Sequence, residues 1–587
     1  MSRALCILPP QQSLLKIFYI LTILMVLYSA TGCIPEKHPI PKIKQSSGQS
    51  AETLKKWSDQ KFSMFIHFGL YALPAGVWKE KQVTKGYSEQ IRAHGKISRE
   101  DYRTLAASFN PTKWNPDSIA LLAKAAGMKS VVITAKHHDG FALFKTKWSK
   151  FNSVDGTPYQ NDLLAGLAAA CRRQGLNFGI YFSLIDWDFN GALPPSSHNS
   201  DSIPPAHHQL NLGQVTELLT GYGPVSEIWF DMGKPTEVQS REIAQLVRTL
   251  QPDCMISGRL WNDQGDFAVM GDNASPDFRM GQPWQTPASM FDDTWGYRSW
   301  QVRNDPQVKA VEKLKALIRT IANGGNYLLN IGPTGEGSVV PFEKEVLLKI
   351  GNWIKMHQRE LLQSRPESGQ FQNWGVITAG ANTLNLFILS KPDGNSLVIK
   401  GLYSDQIRVS LKSNPQTVIK TKSVSQGTEL IFDKNILAAD DIPVIKLELK
   451  EKPVIEPSGL ISSDSKRKIE LNRKNATAFH SYSGQDYYST KPTVIRLEWN
   501  IRSKNSHQSA VSFLIPEQQD LNPINLIFNN HDHFIESKKL IRQNGNKIFT
   551  LKNLILKSGL NTISIQLADQ SNPNRDLELE AFNIIIQ

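Results

Sequence analysis

The stretch Val131–Phe141 reads VVITAKHHDGF, and its reading decides how the chain is built. A β-branched apolar run ends abruptly in two histidines and an aspartate, followed by a glycine. A run with no polar alternation reads as a parallel strand buried on both faces. The polar residues that close it have three possible readings: a metal site, a clamp on a polar ligand, or a plain strand cap.

The same pattern recurs outward in both directions. SMFIHFGLY (Ser63–Tyr71), NFGIYFSLIDW (Asn177–Trp187), EIWFDMG (Glu227–Gly233), MISGRLW (Met255–Trp261) and NYLLNIGP (Asn326–Pro333) are further buried-strand runs. Between them lie helical patterns. NDLLAGLAAACRRQG opens on an Asn/Asp cap and closes on Gly175. TEVQSREIAQLVRTLQP opens on Thr236 and closes at Pro252, while PQVKAVEKLKALIRTIANGG starts on proline and ends on paired glycines. Repeated βα units from about Ser63 to Gln363 predict a (β/α)8-like, TIM-type barrel over residues 51–365. An open doubly wound sheet is the alternative, but no glycine-rich phosphate loop follows the first strand.

Beyond the helix predicted from Phe342 to Leu362 the pattern changes to alternating strands, as in TLNLFILS and IPVIKLELK. These predict a β-sandwich over 366–452. A Pro/Ser-rich break, EKPVIEPSGLISSDSK, leads to a further all-β module over 465–587. That module is read either as carbohydrate-binding or as packing against the barrel.

Composition is that of a globular chain: 587 residues, 40% hydrophobic and 20% charged. The net charge of +12 is spread along the sequence, with no basic cluster interleaved with aromatics, so nucleic acid is not an expected partner. The N-terminus carries Arg3 and Lys16, an apolar segment Ile17–Tyr28, then SATGC ending at Cys33. The apolar segment is short of the ~20 residues that span a bilayer. The order predicts an export signal over 1–32 that resembles a bacterial lipobox, with Cys33 lipidated and 33–50 a tether. Membrane contact is expected only through that anchor, in a periplasmic or cell-surface location. Cys171 and Cys254 are expected as buried free thiols, and without a CxxC pair no structural zinc site is expected.

In a TIM-type barrel the chemistry sits at the carboxyl ends of the strands. Each run ends in polar or aromatic residues there: His67; His137 and His138; Asp186 and Trp187; Trp229 and Asp231; Arg259 and Trp261. Asp231 stands in an aromatic surround, as the nucleophile of a retaining glycosidase does, and Gly233 is expected to let substrate approach. Trp78, Trp187, Trp229, Trp261, Trp284, Trp295 and Trp300 fall in or beside the predicted mouth, where flat rings stack on sugar. No third ligand at metal spacing follows the histidine pair and HExxH is absent, so the imidazoles read as neutral hydrogen-bonding groups.

From about Trp57 to Gln363 the chain resembles the α-L-fucosidases of glycoside hydrolase family 29. The carriers are FIHFGLYALPAGVW, KSVVITAKHHDGFALF, NFGIYFSLIDW, EIWFDMG, TWGYRSW and NGGNYLLNIGPTGEG. The resemblance implies a barrel with a C-terminal β-sandwich, exo-acting hydrolysis with retention, fucosylated oligosaccharides or glycoconjugates as substrates, and no metal or cofactor. It makes Asp231 the nucleophile and His67, His137 and His138 ligands of the fucose hydroxyls. Trp229 and Trp295 would line the sugar's methyl group, Arg259 would follow the next strand, and Tyr181 would approach the nucleophile in YFS, where relatives have YYS-like text. Trp78 joins the substrate-binding candidates.

The acid/base does not transfer directly. Where relatives carry glutamate in PWE-like or TPE-like motifs, this chain has PWQ (Pro283–Gln285) and SPD (Ser275–Asp277). Glutamine cannot donate and recover a proton. Asp293, which precedes TWGYRSW, is chosen over Asp277 as the expected acid/base. The rival reading is a fucose-binding lipoprotein with a degenerate acid/base; a metallohydrolase using His137, His138 and Asp139 is a weaker third.

Overall fold

The computed structural model describes residues 49–587, apart from 197–200, 277–278, 405–406, 464–467, 482–492, 520, 569–576 and 578–581. The signal and anchor expected at 1–33, and Asp277, lie outside the described residues.

Eight strands form one parallel sheet: β1 (Phe62–Ile66), β2 (Ser130–Lys136), β3 (Asn177–Ser183), β4 (Glu227–Asp231), β5 (Met255–Ile256), β6 (Ala268–Val269), β7 (Trp284–Ala288) and β8 (Asn326–Ile331). Their order is β5-β4-β3-β2-β1-β8-β7-β6. The two edge strands meet through a parallel bridge between Ser257 and Phe267, where Gly258 N donates to Phe267 O at 2.9 Å. That contact rounds the sheet into a barrel. Strand periodicity then sorts the side chains. Met64, Ile66, Val131, Ile133, Ile180 and Ile228 face the helical shell, while Phe65, Val132, Tyr181, Trp229, Phe267 and Leu328 fill the interior.

Six helices of ten or more residues form that shell: α1 (Pro116–Ala125), α2 (Leu163–Gln174), α3 (Pro205–Gly221), α4 (Glu237–Leu250), α5 (Pro306–Ala322) and α6 (Pro341–Leu361). Their ends follow local chemistry. Asp162 caps α2 by accepting from Ala165 N, and Gly175 closes it at φ 68°. Thr236 and Gln239 form a reciprocal capping box on α4, a cap type whose loss costs about 1 kcal/mol. Between β5 and β6 a 3₁₀ turn at Gly258–Leu260 stands in place of a helix.

Sequence reading found six of the eight strands. It missed β6 because two residues carry no periodicity, and β7 because WQTPA breaks the apolar run with Gln285 and Pro287. Consequently PWQ is a barrel strand rather than a mouth loop.

After α6 a five-stranded sheet and a three-stranded sheet enclose a core with Trp374, Leu386, Ile399 and Leu447. The last module packs a mixed six-stranded sheet, in which Ile461–Ser463 runs parallel to its neighbour, and a five-stranded antiparallel sheet around Trp499, Phe513, Ile563 and Ile584. Cys171 and Cys254 are buried and free.

Candidate active site

A cavity of about 480 Å³ opens at the carboxyl ends of the barrel strands. Its wall includes His67, Glu89, His137, Tyr181, Trp229, Asp231, Arg259, Asp272 and Trp295. They arrive from several strand ends and loops, and of them Trp229 and Asp231 share one strand, β4.

Asp231 is the last residue of β4, and both its oxygens are held. Arg259 Nη1 donates to Oδ1 at 2.9 Å, and Tyr181 Oη donates to Oδ2 at 2.9 Å. Burial pushes the Asp231 carboxyl above its ordinary value, and the Arg259 charge and the Tyr181 bond work against that. Arg259 forks: its Nη2 donates to Asp272 Oδ1 at 3.0 Å, and Trp295 Nε1 donates to Asp272 Oδ2 at 3.3 Å. One guanidinium therefore ties two cavity carboxylates together, with its Cζ 5.3 Å from the Trp229 ring centre. Such bidentate, planar pairing is what arginine supplies and lysine does not.

The histidines are neutral. Burial lowers the His67 pKa to about 3. Its Nδ1 lies 2.7 Å from Asn330 Oδ1, and Asn330 Nδ2 donates to Trp295 O at 2.7 Å. An amide oxygen only accepts, so Nδ1 carries the proton and Nε2 is an acceptor. Burial also pushes His137 and His138 well below the ordinary value, with neighbouring rings adding to it. His137 stacks on Tyr181 with ring centres 5.1 Å apart. His138 is fully buried beside it and stacks on Trp187 at 3.9 Å.

The chain leaves β2 at Lys136, and the turn through Asp139 to Gly140 sets the two imidazoles edge to face, their centres 4.0 Å apart and their planes at 83°. Gly140 sits at φ 84°, and a Cβ there would lie 2.1 Å from Asp186 Oδ1, so only glycine fits. Asp139 faces away from the cavity: it accepts from Tyr102 Oη at 2.7 Å and Phe141 N at 3.2 Å. The last polar residue of the stretch thus fastens the loop.

A family model described as alpha-L-fucosidase matches residues 36–359. The chain belongs to the α-L-fucosidase family. Among its relatives is the tissue α-L-fucosidase of Rattus norvegicus, 30% identical over 333 residues that cover 53% of this chain and 71% of that protein. A Thermotoga maritima α-fucosidase solved in complex with fucose aligns at 26% identity with a TM-score of 0.55, over 68% of this chain and 99% of its own. An α-L-fucosidase from Vibrio sp. strain EJY3 aligns at 24% identity and a TM-score of 0.61, over 92% of this chain and 98% of its own. The protein is a glycoside hydrolase of α-L-fucosides.

Set in a fucosidase barrel, the expected residues divide. His67, His137, Tyr181, Trp229, Asp231, Arg259 and Trp295 meet at the cavity. His138 does not line it but backs His137. Trp78 sits in a short hairpin, half-buried against the outer core, and does not reach the cavity. Asp293 is a correction: its side chain is 62% exposed, it pairs with Arg298 Nη1 at 2.6 Å, and it is not in the cavity wall. Gly233 is a second one. A Cβ there would lie 2.7 Å from Ile185 Cγ2, so this glycine serves packing rather than substrate approach. Gln285, already excluded by sequence as the proton donor, lies inside the barrel, accepting from Trp229 Nε1 at 2.8 Å.

Glu89, Asp272 and Asn330 were missed. Glu89 Oε2 accepts Gly296 N at 2.8 Å and Trp295 N at 3.2 Å, and burial drives its pKa up to about 7. It lies in a 3₁₀ turn that carries no strand signal. Asn330 was visible as a polar residue inside the apolar run NYLLNIGP.

Proposed function

We infer that the chain removes terminal α-L-fucose with retention, by two displacements at the anomeric carbon, and that Asp231 is the nucleophile. The observation that carries this is the double hold on Asp231. Arg259 and Tyr181 fix both carboxylate oxygens at the cavity floor and favour the ionised form against the effect of burial. In the first displacement Asp231 forms a glycosyl ester as the leaving oxygen takes a proton. In the second, water deprotonated by the same acid/base group breaks the ester. His67 Nε2 is oriented to accept from a fucose hydroxyl, and Glu89, near half-protonated at neutral pH, can donate to or accept from another.

The proton donor is assigned to the loop that begins at Gly271. Asp272 lines the cavity beside Asp231, and Asp277 of SPD follows five residues later. Azide rescue tests both parts. Asp231→Gly should lose turnover and regain it with azide, which attacks from the nucleophile's face and gives the inverted β-fucosyl azide. An acid/base variant should regain it by forming the α-fucosyl azide, since azide then replaces water in the second displacement. Of Asp272→Ala, Asp277→Ala, Glu89→Ala and Asp293→Ala, one of the first two should behave so. Rescue of Asp293→Ala instead would return the acid to the position first expected from sequence.

Fucosylated oligosaccharides or glycoconjugates are the proposed substrates. The reading as a non-catalytic binding lipoprotein rested on Gln285, and that residue lies in the barrel interior. Export and lipid anchoring at Cys33 are proposed from the order of Arg3 and Lys16, the apolar segment Ile17–Tyr28 and SATGC; Cys33→Ser should move the protein from the membrane to the soluble fraction, and an unchanged distribution would refute the anchor.

A further inference from the structure

The loop between β6 and β7 has two ends with different partners. Near its start, Asp272 is tied to Arg259 and Trp295 at the cavity. Near its finish, the loop is held by the last β module. His480 N donates to Arg279 O at 2.8 Å, and Gly281 N donates to His480 O at 2.8 Å. Ser481 Oγ donates to Gln282 Oε1 at 2.9 Å, and Met280 forms a parallel bridge with His480. The strand that does this is Thr477–Ser481, an edge of the module's six-stranded sheet. Arg279 Nη2 also donates to Gly369 O of the intervening sandwich at 3.2 Å.

The fit is close. A Cβ on Gly281 would lie 2.7 Å from Ile495 Cδ1 and 3.3 Å from Phe479 Cβ, both of the module. Two residues after Gln282 the chain enters β7, whose Gln285 holds Trp229 and whose Pro287 lines the cavity. An edge strand's free backbone groups are a ready template for another segment of chain, and here the occupant is the loop that walls the active site.

We propose that the last β module is a brace for the catalytic loop, so that its edge strand Thr477–Ser481 positions the proton-donating side of the cavity. The module is then part of the catalytic unit and not an independent appendage. Its residues are positioning residues, acting through Asp272 and the segment that follows it. The inference rests on the assignment of the acid/base to that loop.

The test uses the full chain. Gly281→Val crowds Ile495 and Phe479, and His480→Pro removes the donor to Arg279 O. Ile541→Asp, on an edge strand of the module's other sheet and 71% exposed, is the control. Hydrogen exchange should quicken in residues 270–283 in both brace variants and stay unchanged in the control. Turnover of a phenyl fucoside should fall roughly 10- to 10²-fold, the scale of a small misplacement in an active site. The kcat/KM for fucosyl fluoride, which reports the first displacement alone and whose leaving group needs no acid, should fall by less than about threefold, since Asp231 and its partners remain. The proposal is overturned by unchanged exchange in 270–283, by loosened exchange with wild-type turnover, or by equal loss on both substrates. Wild-type turnover by Asp231→Gly would instead sink the functional reading beneath it.

Discussion

Two layers of one barrel each set a carboxylate near the same tryptophan, and their chemistry diverges. At the mouth, Asp231 takes a guanidinium on one oxygen and a phenol on the other, and faces the cavity. One layer down, Glu227 opens β4, and among the described residues its partners are neutral. Trp57 Nε1 donates to Glu227 Oε2 at 2.7 Å, Gln285 Nε2 lies 3.3 Å from the same oxygen, and Gln285 Oε1 accepts from Trp229 Nε1 at 2.8 Å. Burial drives Glu227 up to about 7. The two carboxylates sit four residues apart on a single strand, at alternate pleats on its inner face. What separates reactive from structural is therefore the partner: a positive, forked one at the mouth, neutral amides and indoles beneath. Trp229 belongs to both layers, its face toward Arg259 and its edge toward Gln285.

The largest effect should come from stripping the mouth of its cation. Arg259→Met removes the donor to Asp231 and the tie to Asp272 together, while its stem can still pack over Trp229. Loss of one preorganised donor at a reacting centre typically costs about 10²–10³ in kcat. Here kcat on an aryl α-L-fucoside should fall at least that far, because two carboxylates are released at once. The Asp231 pKa should rise with loss of the positive charge, moving the acidic limb of the pH–rate profile upward. A profile that stays in place would break the distinction between the layers.

The interior layer should respond more weakly and in a different sense. Gln285 is both donor and acceptor, and its position needs both: it gives a hydrogen to Glu227 and takes one from Trp229. Gln285→Leu should leave a buried indole N–H unpaired, tilt Trp229 and lower kcat/KM about tenfold, the equivalent of 1.36 kcal/mol. Gln285→Glu distinguishes two histories of the residue. If Gln285 were a lost acid, restoring glutamate would raise activity on natural glycans. If it is a positioning residue, glutamate puts two carboxyls within hydrogen-bonding distance in a sealed layer, one proton is shared, and activity falls instead.

This layer marks where sequence reading ran short. The barrel was legible because parallel strands buried on both faces are long apolar runs, and because Asp162, Gly175 and Thr236 punctuate the helices as local chemistry requires. Asp231, Arg259 and the histidines were legible as polar ends of such runs, and Tyr181 through the family resemblance. Glu89 was not, because it is placed by two backbone amides more than two hundred residues away. Asp293 misled because adjacency to TWGYRSW is not direction: Trp295 turns inward to Asp272, while Asp293 turns outward to Arg298. Gln285 misled because its strand is too polar to read as one. Side-chain direction is set by register, and register in a barrel closes only through partners distant in sequence.

The smallest effect should appear in stability rather than turnover. Folding raises the Glu227 pKa from 4.5 to about 7 by burial. Between those values the folded protein keeps a proton that the unfolded chain has released, so this group lowers stability as pH climbs, and the loss levels off above about 7. Glu227→Gln mimics the protonated acid in shape and can still accept from Trp57 and Gln285, but does not titrate. Its melting temperature relative to wild type should therefore rise steadily across that interval and then run parallel. Glu89 and Asp139, both pushed up to about 7 by burial, titrate in both proteins and cancel from the difference. A constant difference at all pH values would mean that Glu227 is ionised in the fold. The interior layer would then hold a second charged carboxylate beneath the nucleophile, and the contrast between the two layers would fail.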